Sequence, residues 1–249
     1  MFSEVFIGTH MASWGSRTRP GRLIAALFPP TCILCGAPGA GERDLCLGCA
    51  AELPHNGDCC PRCALPLDTP LPTGSVCGAC QRRAPPFERA LAALRYESPV
   101  PSLVADAKFR GRLNAARLLG QLLADASSVL AAPLPQALVP VPLHPDRLAG
   151  RGYNQSLEIA RVVGCALALP VDIASCRRVL ATPPQAGLDE RARRRNIRGA
   201  FVALTPYPWG HVAILDDVVT TGSTASELTR VLRRAGATRV QVWAAARTP

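Results

Sequence analysis

The chain has 249 residues, 48% hydrophobic and 18% charged, with a formal net charge of +10 at pH 7. That length and apolar content suit one large or two ordinary globular domains and exclude a wholly disordered chain. No run of 18 apolar residues occurs and no apolar leader-type segment opens the sequence, so neither a membrane span nor secretion is expected, and the expected compartment is the cytoplasm.

Residues 1–21 show no periodicity and are expected to be a disordered extension, with Met11 as an alternative start. Leu23–Phe28 predicts a short helix stopped by Pro29 and Pro30. From there to Pro86 the texture is dense in Pro, Gly and Cys. Eight of the 11 cysteines form four C-x-x-C pairs: Cys32/Cys35, Cys46/Cys49, Cys60/Cys63 and Cys77/Cys80. A two-residue gap turns both thiolates of a knuckle towards one metal, and two knuckles complete a tetrahedral four-cysteine zinc site. Four knuckles therefore predict two structural Zn2+ ions. Pairing in sequence order gives two zinc ribbons, whereas first-with-third pairing gives a cross-braced module; sequential pairing is favoured because ribbon knuckles are usually chain neighbours. Disulfides fit poorly without an export signal. Cys59 is a spare, and Cys165 and Cys176 lie in apolar company as small core side chains. With so few large apolar residues, residues 22–86 should need metal to fold.

Pro85-Pro86 marks the boundary to a second domain, residues 87–249. Strands are expected over 90–96, 137–143, 212–215 and 239–245, and helices over 100–109, 115–130 and 155–169. A final helix starts near Ser223, with Leu228, Val231, Leu232 and Ala235 on one face and Gly236 to end it. This alternation predicts an α/β fold, a mainly parallel sheet with helices on both faces.

The apolar run Val212–Leu215 is followed at once by Asp216 and Asp217, then by Thr220, Thr221, Gly222, Ser223 and Thr224 ahead of the helix. Unpaired N–H groups and the positive end of the helix dipole suit this turn to a phosphate, and Gly222 lets the backbone approach it closely. The carboxylates, repelled by phosphate, suit sugar hydroxyls or a hydrated Mg2+. A capping box, Thr224-Ala-Ser-Glu227, would account for the helix start but not for two acids, two threonines and a glycine at the carboxyl end of a strand, where open α/β sheets bind ligands.

Two basic segments could serve the same ligand. In 143–155, Arg147 and Arg151 stand one helical turn apart with glycines flanking the second; in 191–198, five arginines fall within eight residues, Arg191, Arg194 and Arg195 among them. Lys108 is the sole lysine against 27 arginines, which suggests a place for a compact ammonium such as a phosphate ligand.

Ile214-Leu-Asp-Asp-Val-Val-Thr-Thr-Gly-Ser-Thr224 resembles the loop with which type I phosphoribosyltransferases bind phosphoribosyl pyrophosphate. In those terms 143–155 resembles the pyrophosphate loop and 185–198 the mobile loop that closes over substrate. With Phe28-Pro-Pro-Thr-Cys-Ile-Leu-Cys-Gly36, Pro140-Val-Pro-Leu-His144, Arg151-Gly-Tyr-Asn-Gln155 and Arg195-Asn-Ile-Arg-Gly-Ala-Phe201, the chain resembles the ComF family of bacterial competence proteins over residues 22–249. The resemblance implies a double zinc ribbon joined to a phosphoribosyltransferase-like domain, phosphoribosyl pyrophosphate with Mg2+ as ligand, and a role in handling internalised single-stranded DNA. A phosphoribosyltransferase of nucleotide salvage and a non-catalytic adaptor docking a competence helicase or channel protein are the alternatives it leaves open. Were the chain an enzyme, Asp216 and Asp217 would hold the ribose while Mg2+, Arg147 and Arg151 stabilise departing pyrophosphate. Each tetrathiolate zinc carries two negative charges, bringing the net +10 to about +6, and aromatics are only 5%, so DNA contact should be phosphate-directed and salt-dependent.

Overall fold

The computed structural model describes residues 29–129, 133–181 and 196–249. The extension 1–21, the helix expected at Leu23–Phe28, and Arg191, Arg194 and Arg195 lie outside the described residues. Within them the elements run α1 (Leu47–Glu52), α2 (Gly78–Arg82), β1 (Arg89–Arg95), α3 (Val100–Phe109), α4 (Leu113–Ser128), β2 (Ala137–Pro140), α5 (Pro145–Arg151), α6 (Gln155–Leu167), β3 (Cys176–Arg178), β4 (Phe201–Ala203), β5 (His211–Val219), α7 (Ser223–Ala235) and β6 (Arg239–Arg247).

β1, β6, β5 and β2 form, in that order, one wholly parallel sheet, with Arg89 opposite Gln241, His211 opposite Arg239 and Ala137 opposite Val212. Both faces are covered, as a parallel sheet requires, and this explains why its strands are near-continuous apolar runs. On one face α3, α4 and α6 bury Leu103, Leu118, Leu119, Leu123 and Ile159 against Leu215 and Trp243. On the other, α7 buries Leu228 and Leu232 with Ile214, Val242, Ile197 and Phe201. α4 approaches α6 closely at Gly120, where a Cβ would come within 2.7 Å of Val162 Cβ, so Gly120→Ala would force the helices apart. The antiparallel pair β3–β4 stands apart from the main sheet and was not foreseen: three-residue strands carry too little periodicity to be seen.

Several boundaries move. β2 ends at Pro140 rather than 143, since Pro142 has no N–H for the ladder. α6 stops at Leu167 as Ala168 turns left-handed (φ 54°) ahead of Pro170. β5 is the largest correction: it runs on through both aspartates to Val219 instead of ending before them, because β6 pairs with it over that whole length.

The cysteine-rich part folds as two similar knuckle pairs, Gly36 N–H donating to Cys32 O and Ala64 N–H to Cys60 O at matching turns. They straddle the sheet at its β1 edge. The first packs Cys32, Leu45 and Leu53 into the α4 side, with ion pairs from Arg43 to Asp125 (2.7 Å) and from Arg117 to Asp44. The second inserts Ala64 into the α7 side, and Arg247 Nε donates to Cys63 O at 3.3 Å. The chain between them lies along β1: Asn56 N–H donates to Ala93 O, Arg95 N–H to Pro54 O, and His55 bridges Leu94. A strand edge that would otherwise be bare is thereby paired.

Candidate metal centres and ligand site

The thiols gather in sequence order, Cys32, Cys35, Cys46 and Cys49 in one group and Cys60, Cys63, Cys77 and Cys80 in the other, each with all four sulfurs within 4.8 Å of one another. Sequential pairing is therefore the arrangement, and two tetrathiolate zinc sites fit it. The donor chemistry agrees: Cys49 N–H points at Cys46 Sγ (3.4 Å) and Cys77 N–H at Cys60 Sγ (3.3 Å). Burial would raise Cys32 and Cys60, but backbone N–H groups outweigh it and bring them down to about 6 and about 7. Hydrogen bonds with neighbouring thiols push Cys49 up and burial pushes Cys63 and Cys80 up, so the first cysteine of each group is the one most ready to be a thiolate. Four ligands close each site, which marks a structural metal.

The second constellation forms at the carboxyl end of β5, where α3 and α6 each bring a side chain to it. Asp217 is buried, and Lys108, in the last turn of α3, places Nζ 3.1 Å from its Oδ2. Asp216 accepts at Oδ1 from Ser156 Oγ of α6 (3.2 Å) and from Asp217 N–H (2.9 Å). The two carboxyls respond in opposite senses. Burial and then the neighbouring negative charge raise Asp216 well above the usual range; for Asp217 burial acts upward too, but Lys108 outweighs it and the pKa falls. Lys108 is itself raised, the charges of Asp217 and then Asp216 overcoming its burial. A pair held in two protonation preferences with one ammonium is poised to bind hydroxyls or a further cation.

Beyond β5 the turn closes on itself: Thr221 Oγ1 and Ser223 Oγ are 2.7 Å apart, and Gly222 is left-handed at φ 70°. Gly222, with no side-chain hydrogen bond, caps α7. The capping box is thus absent. Glu227 instead accepts from Gly199 N–H at 2.9 Å and pairs with Arg230 at 3.2 Å. Ser223 N–H donates to Thr221 Oγ1 at 3.4 Å, and the next N–H groups at the start of α7 have no partner within the helix and suit an anion.

The segment 143–155 folds as the short helix α5 followed by a left-handed Gly152 (φ 81°). Tyr153 Oη donates to Ala107 O at 2.5 Å, fixing the segment to the turn that carries Lys108. Asn154 caps α6 through Ser156 N–H and donates to Val141 O, so the Arg-Gly-Tyr-Asn-Gln run is explained residue by residue. Arg151 donates to Gln155 Oε1 at 2.6 Å and covers the exposed Phe109 ring at 5.4 Å. One arginine went unforeseen. Arg178 on β3 is buried, lies over Phe201 at 5.7 Å, and has its pKa lowered by burial and then by the Arg147 charge, with Asp216 opposing. Only the apolar neighbours Cys176 and Val179 hinted at a buried strand there.

Among the described residues no helix is long and apolar enough to cross a membrane. Residues 23–81 match the family model described as a double zinc ribbon domain. The DNA utilization protein YhgH of Salmonella typhi is 38% identical over 230 residues, 88% of this chain and 98% of the relative; that of Escherichia coli K12 is 36% identical over 226 residues with the same coverage. Competence protein F of Haemophilus influenzae is 33% identical over 224 residues, 87% of this chain and 96% of the relative. Among solved structures, a Bacillus subtilis glutamine phosphoribosylpyrophosphate amidotransferase shares 19% identity at a TM-score of 0.38, over 57% of this chain and 30% of that one. At that score the overlay bears on neither ligand nor chemistry.

Proposed function

Because this chain belongs to the family of DNA utilization protein YhgH and competence protein F, we propose that it binds a ribose 5-phosphate ligand, phosphoribosyl pyrophosphate with Mg2+ foremost, and acts in the cytoplasm on internalised single-stranded DNA. The observation that carries this reading is the pairing of Asp216 and Asp217, braced by Ser156 and Lys108, with the turn 220–222 that directly follows the same strand and leads into α7 without a side-chain cap. In this reading the turn 220–224 holds the 5′-phosphate through backbone N–H groups and hydroxyls, and the carboxyls hold the ribose 2- and 3-hydroxyls. Arg147, Arg151 and Arg178 supply positive charge for the pyrophosphate, with Lys108 neutralising Asp217 so that the anion is not repelled. Mg2+ would enter with the pyrophosphate oxygens and supply further charge compensation.

Calorimetric titration of phosphoribosyl pyrophosphate and Mg2+ into the zinc-loaded protein tests the reading. Heat in the wild type that disappears in Asp216→Ala is the expected result; a folded wild type that gives none would overturn it.

Group transfer is the second reading, favoured by the basic side chains around the carboxyls: Arg178 senses the charges of both Arg147 and Asp216, and Lys108 senses that of Arg151. An acceptor nitrogen would bond to the anomeric carbon as its bond to pyrophosphate breaks, the leaving group departing with the electron pair. Release of pyrophosphate in the presence of a base or amine, against none without it, decides this.

A further inference from the structure

A cavity of about 920 Å3 is lined by neither Asp216 nor Asp217. It opens on the other side of the phosphate turn, between α7 and the second ribbon. Thr221, Gly222 and Ser223 line one end, and Arg230 and Arg234 continue the same wall. Positions 223, 226, 230 and 234 recur at helical spacing, so one face of α7 looks into the cleft along its length. From Ser223 to Arg234 that face extends about 16 Å at 1.5 Å per residue, well beyond the reach of one phosphate at the helix start.

The opposite wall is the second ribbon, where exposed Arg83 lines the cleft with Cys80; exposed Arg198 enters from the 197–199 loop, which Gly199 N–H ties to Glu227 of α7. Five arginines line the cleft, against which the zinc-loaded tetrathiolate that includes Cys63 and Cys80 would set two negative charges at one wall. Glu227 is the sole acid in the lining, and its oxygens are already taken by Gly199 N–H and Arg230. Arg247, also in the wall, is committed to Cys63 O and Val219 O. Arg83, Arg198 and Arg234 remain for a ligand, and guanidinium forks match phosphate oxygens in pairs. No exposed aromatic lines the cleft, so contact would be with a sugar-phosphate backbone and not with stacked bases.

We propose that this cleft is the track of a single-stranded nucleic acid, whose phosphodiesters follow α7 from Arg234 to the Thr221–Ser223 turn with the second ribbon as the facing jaw. One of its phosphates occupies the turn, so the strand and a ribose 5-phosphate are alternative occupants of one anion site. Only this exclusion rests on the ribose-phosphate reading. The track stands on the cleft and its arginines.

The test compares matched neighbours in the full-length zinc-loaded protein, by fluorescence anisotropy with labelled 20-residue oligothymidylate. Arg83→Ala/Arg234→Ala removes two cleft charges; Arg82→Ala/Arg233→Ala removes the same charge from the same two helical segments outside the lining. The first is expected to weaken binding roughly tenfold and reduce the slope of log affinity against log salt by about 1.4, the second to stay within about twofold of wild type. Equal effects of the two variants, or no strand binding by wild type, would overturn the track. Ribose 5-phosphate should displace the strand from wild type competitively. Strand binding that persists at ribose 5-phosphate concentrations shown calorimetrically to saturate the protein overturns the shared turn, whereas absence of ribose 5-phosphate heat with the arginine pattern intact overturns the sugar-phosphate reading alone.

Discussion

Nζ of Lys108 stands 3.1 Å from Oδ2 of Asp217, joining the last turn of α3 to the carboxyl end of β5, and no other donor among the described residues reaches that oxygen. Removing the ammonium leaves a buried carboxylate uncompensated. A fully buried pair loses roughly 3–5 kcal/mol on such a change, and the lysine side chain here is 33% exposed, so Lys108→Met should cost about 2 kcal/mol in urea denaturation. Lys108→Met/Asp217→Asn should recover most of that loss.

Asp216 carries the opposite burden. Its carboxyl is raised by burial and by Asp217, so ionising it works against the fold, and Asp216→Asn keeps an Oδ1 acceptor for Ser156 and Asp217 N–H. The variant should be about 1 kcal/mol more stable at neutral pH and should lose ribose 5-phosphate binding, a stability gain made at the expense of function. Thermal melts and calorimetry on the same samples check both halves.

The same pair sets a pH dependence. A carboxyl raised above 3.8 holds more protons folded than unfolded, so the Asp216 contribution is greatest below that value and declines as pH rises towards the folded pKa. Asp217, depressed, contributes fully above the ordinary carboxylate range and loses that contribution as pH falls through its folded value. Relative to wild type, Asp216→Asn should therefore gain stability progressively from about pH 4 upward, measured as the difference in urea midpoint across the series.

Arg178→Met keeps much of the packing over Phe201 and removes the charge. We expect roughly tenfold weaker binding of phosphoribosyl pyrophosphate with Mg2+ and unchanged binding of ribose 5-phosphate, because the arginine acts on the pyrophosphate alone. Equal losses for both ligands would assign Arg178 to the fold.

Metal analysis should return two zinc equivalents per chain. Cys60→Ser should lower this to about one and, by loosening the second jaw, weaken the strand more than the sugar phosphate. Chelation of both should release the 54–56 segment from β1 and be followed by light scattering as exposed edges associate.

What was legible in the sequence was local. C-x-x-C spacing fixes a knuckle within four residues, and the apolar face of α7 repeats often enough to locate Ser223 and Gly236. The features that escaped depend on partners far along the chain. β5 continues through Asp216 and Asp217 because β6 pairs with it there, Arg178 is buried by Phe201 23 residues later, and the ribbons grip β1 through backbone atoms that carry no side-chain signature. The capping box shows the converse, a local pattern present in the sequence and put to other use when Gly199 and Arg230 claimed Glu227.

The position of β6 bears on how the protein is made. It lies between β1 and β5, yet it follows both in the chain, and β1 has no other strand of the sheet beside it. On a ribosome the cysteine knuckles emerge first and can take up zinc at once, while the strand they will clasp waits for a neighbour synthesised some 150 residues later. Translation thus delivers the knuckles, then β1 with no strand beside it, then the β2–β5 pair, and after them the strand that joins the two. A chaperone holding this nascent chain should release it only after Arg239–Arg247 has cleared the exit tunnel, and a stalled chain lacking that strand should be a preferred target for degradation.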